Sequence, residues 1–261
     1  MKILVILGSP KRNGSGLEAA KRVEQAMAEH GDVEFEYLSL IEHNLGLCRG
    51  CFLCISKGED LCPMSKDRES LQERMEAADG IILVSPSYVQ DVSWLMKNLI
   101  DRFAFTHHRP ILHDKKLLVI ANGGAGLKRV RQSLAMAIEG PQLVAGLDYM
   151  TMPWPMSPNA EKKRDKAVKK AADTFYRSLQ KGGMRATFTK YLMFRFFKDI
   201  SDETAEHMPA DHRYYSDKVD YHYPVAINPL WKVTAGFMVF MLKRTMADMA
   251  PYKETGPEKE A

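Results

Sequence analysis

All four cysteines of this chain lie in one short segment with the spacing C-x2-C-x2-C-x7-C. They are Cys48, Cys51, Cys54 and Cys62, and Pro63 follows the last of them. Short gaps allow successive thiolates to turn toward one centre, and the longer last gap allows the fourth to close the cage. Such a set suits an iron–sulfur cluster or a tetrahedral zinc ion. Reduced thiols without a metal and disulfides are the alternative interpretations.

The composition is that of an ordinary globular protein, with 45% hydrophobic and 27% charged residues in a chain of 261. This length is sufficient to bury a full core. The formal net charge of +4 is too small to indicate a nucleic-acid partner. The sequence opens directly on a strand pattern without a signal-peptide layout. We therefore expect a cytoplasmic protein, in which clustered cysteines indicate metal or redox chemistry.

Strand and helix patterns alternate along the first two-thirds of the chain. Continuous apolar runs predict buried strands at 2–7, 80–84 and 116–121, and weaker patterns predict strands at 33–40 and 143–151. Helices are predicted between and after them, at 17–31, 67–78, 94–105, 127–138 and 160–180. The alternation predicts an α/β domain over residues 1–181, a doubly wound parallel sheet of five strands with helices on both faces.

The pattern changes after Gly182-Gly183, and residues 182–261 are predicted to form a helical, aromatic extension. Helices are expected at 191–197 and at 233–249, and the tail after Pro251 is expected to be disordered. The longest apolar core is about half of the ~20 residues that a bilayer span requires, so no membrane span is predicted. We expect part of the apolar surface of the stretch 191–197 and of the helix with Phe237 and Phe240 to lie at a subunit interface in a homodimer or homotetramer.

The loop that follows the first strand has the composition of a phosphate cradle. Ser9, Asn13 and Ser15 supply polar donors, and Gly14 and Gly16 allow close approach to backbone amides at a helix N-terminus. The loop is neither a Walker A motif nor a G-x-G-x-x-G fingerprint. A monophosphate ester is therefore a better ligand than a nucleoside triphosphate or a dinucleotide. An ordinary strand–helix turn is the alternative.

Several motifs occur in an order that resembles a known family. They are Gly8 to Ser15, Cys48 to Cys54 with Cys62-Pro63, Ala78 to Ile82 leading into Ser85 to Tyr88, Leu95 to Lys97, and Ile100 to Phe103. Together they are similar to the NADPH-dependent FMN reductase superfamily, which has a flavodoxin-like fold. The cysteine run resembles its iron–sulfur flavoprotein branch. The resemblance covers about residues 1–150.

The resemblance implies FMN as the cofactor and places its contacts on three loops. The phosphate would be held by Ser9, Lys11, Arg12, Asn13, Gly14 and Ser15. The isoalloxazine ring would be lined by Pro86, Ser87, Tyr88, Val89 and Gln90, and its other edge by Asn122, Gly123, Gly124 and Gly126. We expect the subunit interface to lie near the rim of this flavin. In the iron–sulfur branch, the metal ligands of a 4Fe-4S cluster would be Cys48, Cys51, Cys54 and Cys62.

These observations lead us to expect an FMN-dependent oxidoreductase of the NAD(P)H-dependent FMN reductase type. NAD(P)H is the expected electron donor, with ferredoxin as a second candidate, and the acceptor would be a small molecule such as a flavin, a quinone, a nitroaromatic compound or oxygen. No catalytic side chain is expected, because the cofactor carries the chemistry. The alternative is a non-catalytic redox- or metal-sensing module in which the segment from Cys48 to Cys62 reorganises on oxidation.

Overall fold

The computed structural model describes residues 1–246, which form two compact units. The first contains Met1–Cys54 and Glu59–Met184, and the second contains Ile55–Gly58 and residues 185–246. The predicted tail after Pro251 and the last residues of the predicted helix 233–249 lie outside the described residues.

A five-stranded parallel sheet forms the centre of the first unit, with the strand order β2-β1-β3-β4-β5. The strands are β1 (Lys2–Leu7), β2 (Glu34–Ser39), β3 (Gly80–Pro86), β4 (Lys116–Gly123) and β5 (Gln142–Met150). This is the strand order of flavodoxin-like folds. The predicted fold class is therefore confirmed.

The helices of the first unit lie between and after these strands. They are α1 (Ser15–Ala28), the short α2 (Leu40–His43), α4 (Ser65–Glu76), α5 (Trp94–Arg102), α6 (Leu127–Ala135) and α7 (Pro158–Lys181). The short α3 (Leu53–Ser56) has two residues in each unit. The predicted helix 94–105 ends at Arg102, and a 3-10 turn follows at Ala104–His107.

The central strands are apolar because both of their faces are covered. Ile3, Ile82 and Leu118 are fully buried, and they pack with α1 and α7 through side chains such as Val23 and Phe175. The continuous hydrophobic runs that predicted β1, β3 and β4 thus reflect burial on two sides.

The strand register brings the loops beyond three strands to one edge of the sheet. Leu7 at the end of β1 pairs with Val84 of β3, which in turn pairs with Ile120 of β4. Because the strands are parallel, the loops that follow them leave the same side. This is the edge at which ligands bind in open α/β sheets.

The second unit is helical and has an aromatic core. Its helices are α8 (Phe188–Ser201), α9 (Pro209–Ser216) and α10 (Pro229–Thr245). Tyr191, Phe194 and Tyr215 are almost completely buried, whereas Phe237 and Phe240 of α10 are 66% and 60% exposed. None of the helices found between residues 1 and 246 combines the length and the hydropathy that crossing a membrane requires.

Candidate functional site

The loop after β1 is tied to the end of β3 and to the start of α5. The Gly8 amide donates to the carbonyl of Val84 at 2.8 Å, and the Ser93 hydroxyl donates to the carbonyl of Gly8. The Ser93 amide in turn donates to the Ser85 hydroxyl at 3.0 Å. The start of the predicted phosphate loop is therefore held in place by hydrogen bonds to β3 and to the N-terminus of α5.

The N-terminus of α1 is open to an anion. Its N-cap residue, Gly14, has no side chain, so no side-chain cap satisfies the first amides of this 14-residue helix. Such amides and the helix dipole favour a negatively charged group. Lys11 and Arg12 are exposed on the same loop, and the Ser9 hydroxyl accepts the Lys11 amide at 3.1 Å.

Asn122, from the end of β4, contacts this loop directly. Its side chain is buried, and its Nδ2 donates to the Ser15 hydroxyl at 2.8 Å. A hydroxyl has one hydrogen to donate, so Ser15 Oγ, already an acceptor from Asn122, directs its own hydrogen elsewhere. The Asn122 Oδ1 is buried without a hydrogen-bond partner. The structure thus places the Asn122 side chain beside Ser15, one of the predicted phosphate residues.

The loop after β3 contains a tight turn with an uncommon backbone. Tyr88 and Asp91 exchange two backbone hydrogen bonds, of 2.9 and 3.1 Å, and the two residues between them, Val89 and Gln90, have φ values of 51° and 62°. Positive φ at both central positions occurs in type I′ turns, which favour Asn and Gly. For β-branched Val89 this conformation is strained, and such strain is concentrated at functional sites.

The loop after β4 packs against this turn. The Ser87 amide donates to the Asn122 carbonyl at 2.8 Å. Gly126 has a φ of 72°, and a Cβ at that position would lie 2.6 Å from the Cα of Gln90. Only glycine allows the two loops to approach so closely. The three loops predicted to hold a flavin therefore meet at one edge of the sheet.

The four cysteines line a single cavity, which is open to solvent. Cys48 and Cys51 are exposed, and Cys54 and Cys62 are partly buried. Burial raises the pKa of the Cys54 thiol, and its cysteine neighbours raise it further. Within residues 1–246 no three His, Cys, Asp or Glu side chains are gathered closely enough to hold one metal ion.

Three polar residues without a predicted role lie behind the cysteine segment. They are Asp67 of α4 and Asn98 and Arg102 of α5, which hydrogen-bond to backbone groups at the start of the segment. Arg102 also donates to the Met64 carbonyl beyond the last cysteine. Asn98 and Arg102 are buried beside the apolar Leu95 and Leu99. A polar residue interrupting the apolar face of a helix is the sequence signal that would have found them.

Comparisons with known proteins identify relatives of the first unit. The family model for NADPH-dependent FMN reductases matches residues 1–151, more than half of the chain. An iron-sulfur flavoprotein of Methanocaldococcus jannaschii is 39% identical over 102 residues, covering 39% of this chain and 51% of that protein. Another, from Archaeoglobus fulgidus, is 36% identical over 117 residues, covering 44% of this chain and 51% of that protein. The chain thus spans about half the length of these relatives.

The solved structures show the fold. A NAD(P)H:quinone oxidoreductase from Methanothermobacter marburgensis has a TM-score of 0.52 and 17% sequence identity, over 66% of this chain and 95% of that one. The family match covers all five strands and the three loops described above. The chain therefore belongs to the NADPH-dependent FMN reductase family.

Proposed function

We propose that this chain is an FMN-dependent oxidoreductase of the reducing cytoplasm that takes electrons from NAD(P)H and passes them to a small acceptor. The observation that carries the proposal is the meeting of three loops around the open N-terminus of α1. Quinones, free flavins, nitroaromatic compounds and oxygen are the acceptor classes, and ferredoxin is a second candidate donor.

The residues at this edge fit FMN. The uncapped N-terminus of α1 is a candidate phosphate cradle, and the Ser15 hydroxyl is oriented by Asn122 with its hydrogen directed away from that residue. These features suit one phosphate monoester rather than a pyrophosphate. We assign the phosphate to Ser9, Lys11, Arg12, Asn13, Gly14 and Ser15.

The loops after β3 and β4 would hold the flavin ring. Tyr88 is 43% exposed, which leaves its aromatic face available as a wall for a planar ring. Gly123 and Gly124 allow backbone groups to approach the ring edge closely. We assign the ring contacts to Pro86, Ser87, Tyr88, Val89, Gln90, Asn122, Gly123, Gly124 and Gly126. Bound FMN supplies the exchange between two-electron and one-electron carriers, and the protein orients and tunes it.

We further propose that the cysteine cavity holds a 4Fe-4S cluster. Its donor set is four thiols on one cavity, which is the ligand set of such clusters. A zinc ion, with Zn–S bonds of about 2.3 Å, would require the four sulfurs to converge on one point. Zinc binds the same thiolates, and measuring iron, sulfide and zinc in the purified protein distinguishes it from the cluster.

The cofactor proposals are tested on protein purified without oxygen. Heat release of the bound flavin followed by mass spectrometry should identify FMN, and recovery of FAD or of no flavin after reconstitution would contradict the proposal. Iron and acid-labile sulfide should each be present at about four per chain, with an EPR signal after reduction. Stoichiometric zinc or four free thiols would remove the cluster from the proposal.

Activity is measured separately from cofactor content. NADH, NADPH and reduced ferredoxin are offered in turn as donors, with a quinone, a flavin or a nitroaromatic compound as the acceptor. Steady turnover that depends on FMN supports the proposed function. Tight metal binding or thiol switching without turnover with any donor would favour the sensing module instead.

We also propose that the chain forms a homodimer or homotetramer through the exposed face of α10. Leu230, Val233 and Phe237 are each more than 60% exposed there, and apolar surface of this kind usually marks a contact. Light scattering should show an oligomer that dissociates in the Phe237→Glu variant. Met136→Glu, at an equally exposed methionine of the first unit, is the control. A stable wild-type monomer at micromolar concentration would contradict the proposal.

A further inference from the structure

Helix α5 is a fixed element of the first unit. Its N-cap residue, Ser93, accepts the Met96 amide at 3.2 Å and is bound to the loop after β1. Leu95, Met96 and Leu99 are buried in the core. Side chains on the remaining turns of α5 therefore have well-defined positions.

Asn98 of α5 uses its whole amide group on the start of the cysteine segment. Its Oδ1 accepts the backbone amide of Cys48 at 2.9 Å. Its Nδ2 donates to the carbonyls of Leu45 at 3.0 Å and Gly46 at 3.2 Å. Asn98 is 8% exposed. At a buried position, a polar group left without a hydrogen-bond partner destabilises the folded protein.

Arg102, one turn further along α5, joins the two ends of the cysteine segment. Its side chain is 1% exposed. Nη1 donates to the Gly46 carbonyl at 2.6 Å, and Nη2 donates to the Met64 carbonyl. Gly46 precedes Cys48 by two residues and Met64 follows Cys62 by two. One guanidinium therefore closes the loop that carries all four cysteines.

Asp67 of α4 completes this closure. Its Oδ1 lies 2.5 Å from Arg102 Nη2, and its Oδ2 accepts the Gly46 amide at 2.6 Å. The carboxylate balances the buried positive charge of Arg102. The contribution of Arg102 to the cysteine cavity is therefore mainly geometric, through the planar fork of donors that lysine lacks.

We propose that Asn98 and Arg102 are positioning residues that hold the two ends of the cysteine segment together before any cluster binds. The inference rests on the proposed cluster site, but the contacts themselves require no metal. Closing a flexible loop has an entropic cost that ligand binding would otherwise have to meet. Because α5 already holds the ends of the loop together, much of this cost is removed, so cluster assembly depends on side chains that are not themselves cluster ligands.

The first test uses cluster-free protein and measures amide hydrogen exchange of the peptide covering residues 45–64. Wild type is compared with Asn98→Leu and Arg102→Lys. We expect exchange in this peptide to become about tenfold faster or more in both variants, because the Cys48 and Gly46 regions lose their anchors. A lysine at position 102 keeps the positive charge but should not restore slow exchange, because it lacks the planar set of donors. Unchanged exchange in both variants would overturn the positioning role.

The second test measures iron and sulfide after anaerobic reconstitution, together with the EPR spectrum. Both variants should retain less than half of the wild-type iron, while their FMN affinity stays within about twofold of wild type and shows that the domain has folded. Full iron content with an unaltered spectrum in both variants would overturn the inference. A wild type without iron would instead refute the cluster proposal and leave the exchange result to decide the positioning role.

Lys116→Met is the matched control. Lys116 is also a buried cation that holds backbone, since its ammonium donates to Gln142 Oε1 at 2.9 Å and to the Gly183 carbonyl at 2.5 Å. It lies at the start of β4, at the opposite edge of the sheet from the three loops. We expect this variant to be less stable but normal in both readouts. Equal loss of iron in the control would assign the effect to general destabilisation and overturn the specific role.

Discussion

Replacing Ser15 by alanine separates the binding role of its hydroxyl from its structural role. The hydroxyl accepts from Asn122 at 2.8 Å and has one hydrogen left to donate. A hydrogen bond to a charged group contributes about 1.5–3 kcal/mol. We therefore expect the Kd for FMN to rise about tenfold to 150-fold.

The same substitution has a second consequence in the flavin-free protein. Asn122 is 4% exposed, and its Oδ1 already has no partner. Ser15→Ala removes the acceptor of its Nδ2 as well, and an unsatisfied buried donor costs about 1–3 kcal/mol. We expect the free energy of unfolding of the apo-protein to fall by this amount. Because Ser15 and Asn122 act as a pair, Asn122→Ala in the Ser15→Ala background should change FMN affinity less than it does alone.

Flavin fluorescence quenching gives the Kd, and urea unfolding of the apo-protein gives the stability. Ser178→Ala is the control, since this hydroxyl donates to the Thr174 carbonyl at 2.8 Å on α7 and takes no part in the predicted site. Wild-type FMN affinity in a folded Ser15→Ala variant would refute the assignment of Ser15 to the phosphate. Lower affinity with unchanged apo stability would refute only the pairing with Asn122.

Three further outcomes follow from the same structure. Gly126→Ala should lower stability by about 1–3 kcal/mol and weaken FMN binding, because its Cβ would meet the Gln90 backbone; equal thermal stability would contradict this. Val89→Asn should raise the stability of the apo-protein by about 1 kcal/mol, since Asn tolerates the left-handed backbone better than valine; a lower melting temperature would disprove the strain. For Asp67, burial opposes ionisation, but bonds from Arg102 and the Gly46 amide outweigh it and hold the pKa below its ordinary value of 3.8. The stability that this ionised carboxylate contributes is present above pH 3.8 and is lost as the pH falls through the lower pKa of the folded protein. Between pH 7 and pH 2, the urea concentration at the unfolding midpoint should therefore fall less in Asp67→Asn than in wild type.

The sequence by itself determined the elements whose cause is local. The strands β1, β3 and β4 were predictable because burial on both faces requires a continuous apolar run. The grouping of Cys48 with Cys62 and the glycine-rich loop before α1 were visible as spacing and composition. Helix α9 was not predicted, because its short polar-aromatic sequence forms a helix by packing Tyr215 into the aromatic core.

Only the tertiary structure decided which polar groups serve the sites. Asn122 reaches Ser15 across 107 residues of chain, and Asn98 reaches the Cys48 amide across 50. These contacts depend on the strand order and register, which place the ends of β1 and β4 on either side of β3. The hydrophobic pattern of a segment indicates how that segment is buried, but it does not indicate which distant segment packs against it. The residues that orient the predicted ligands therefore emerge only once the sheet is assembled.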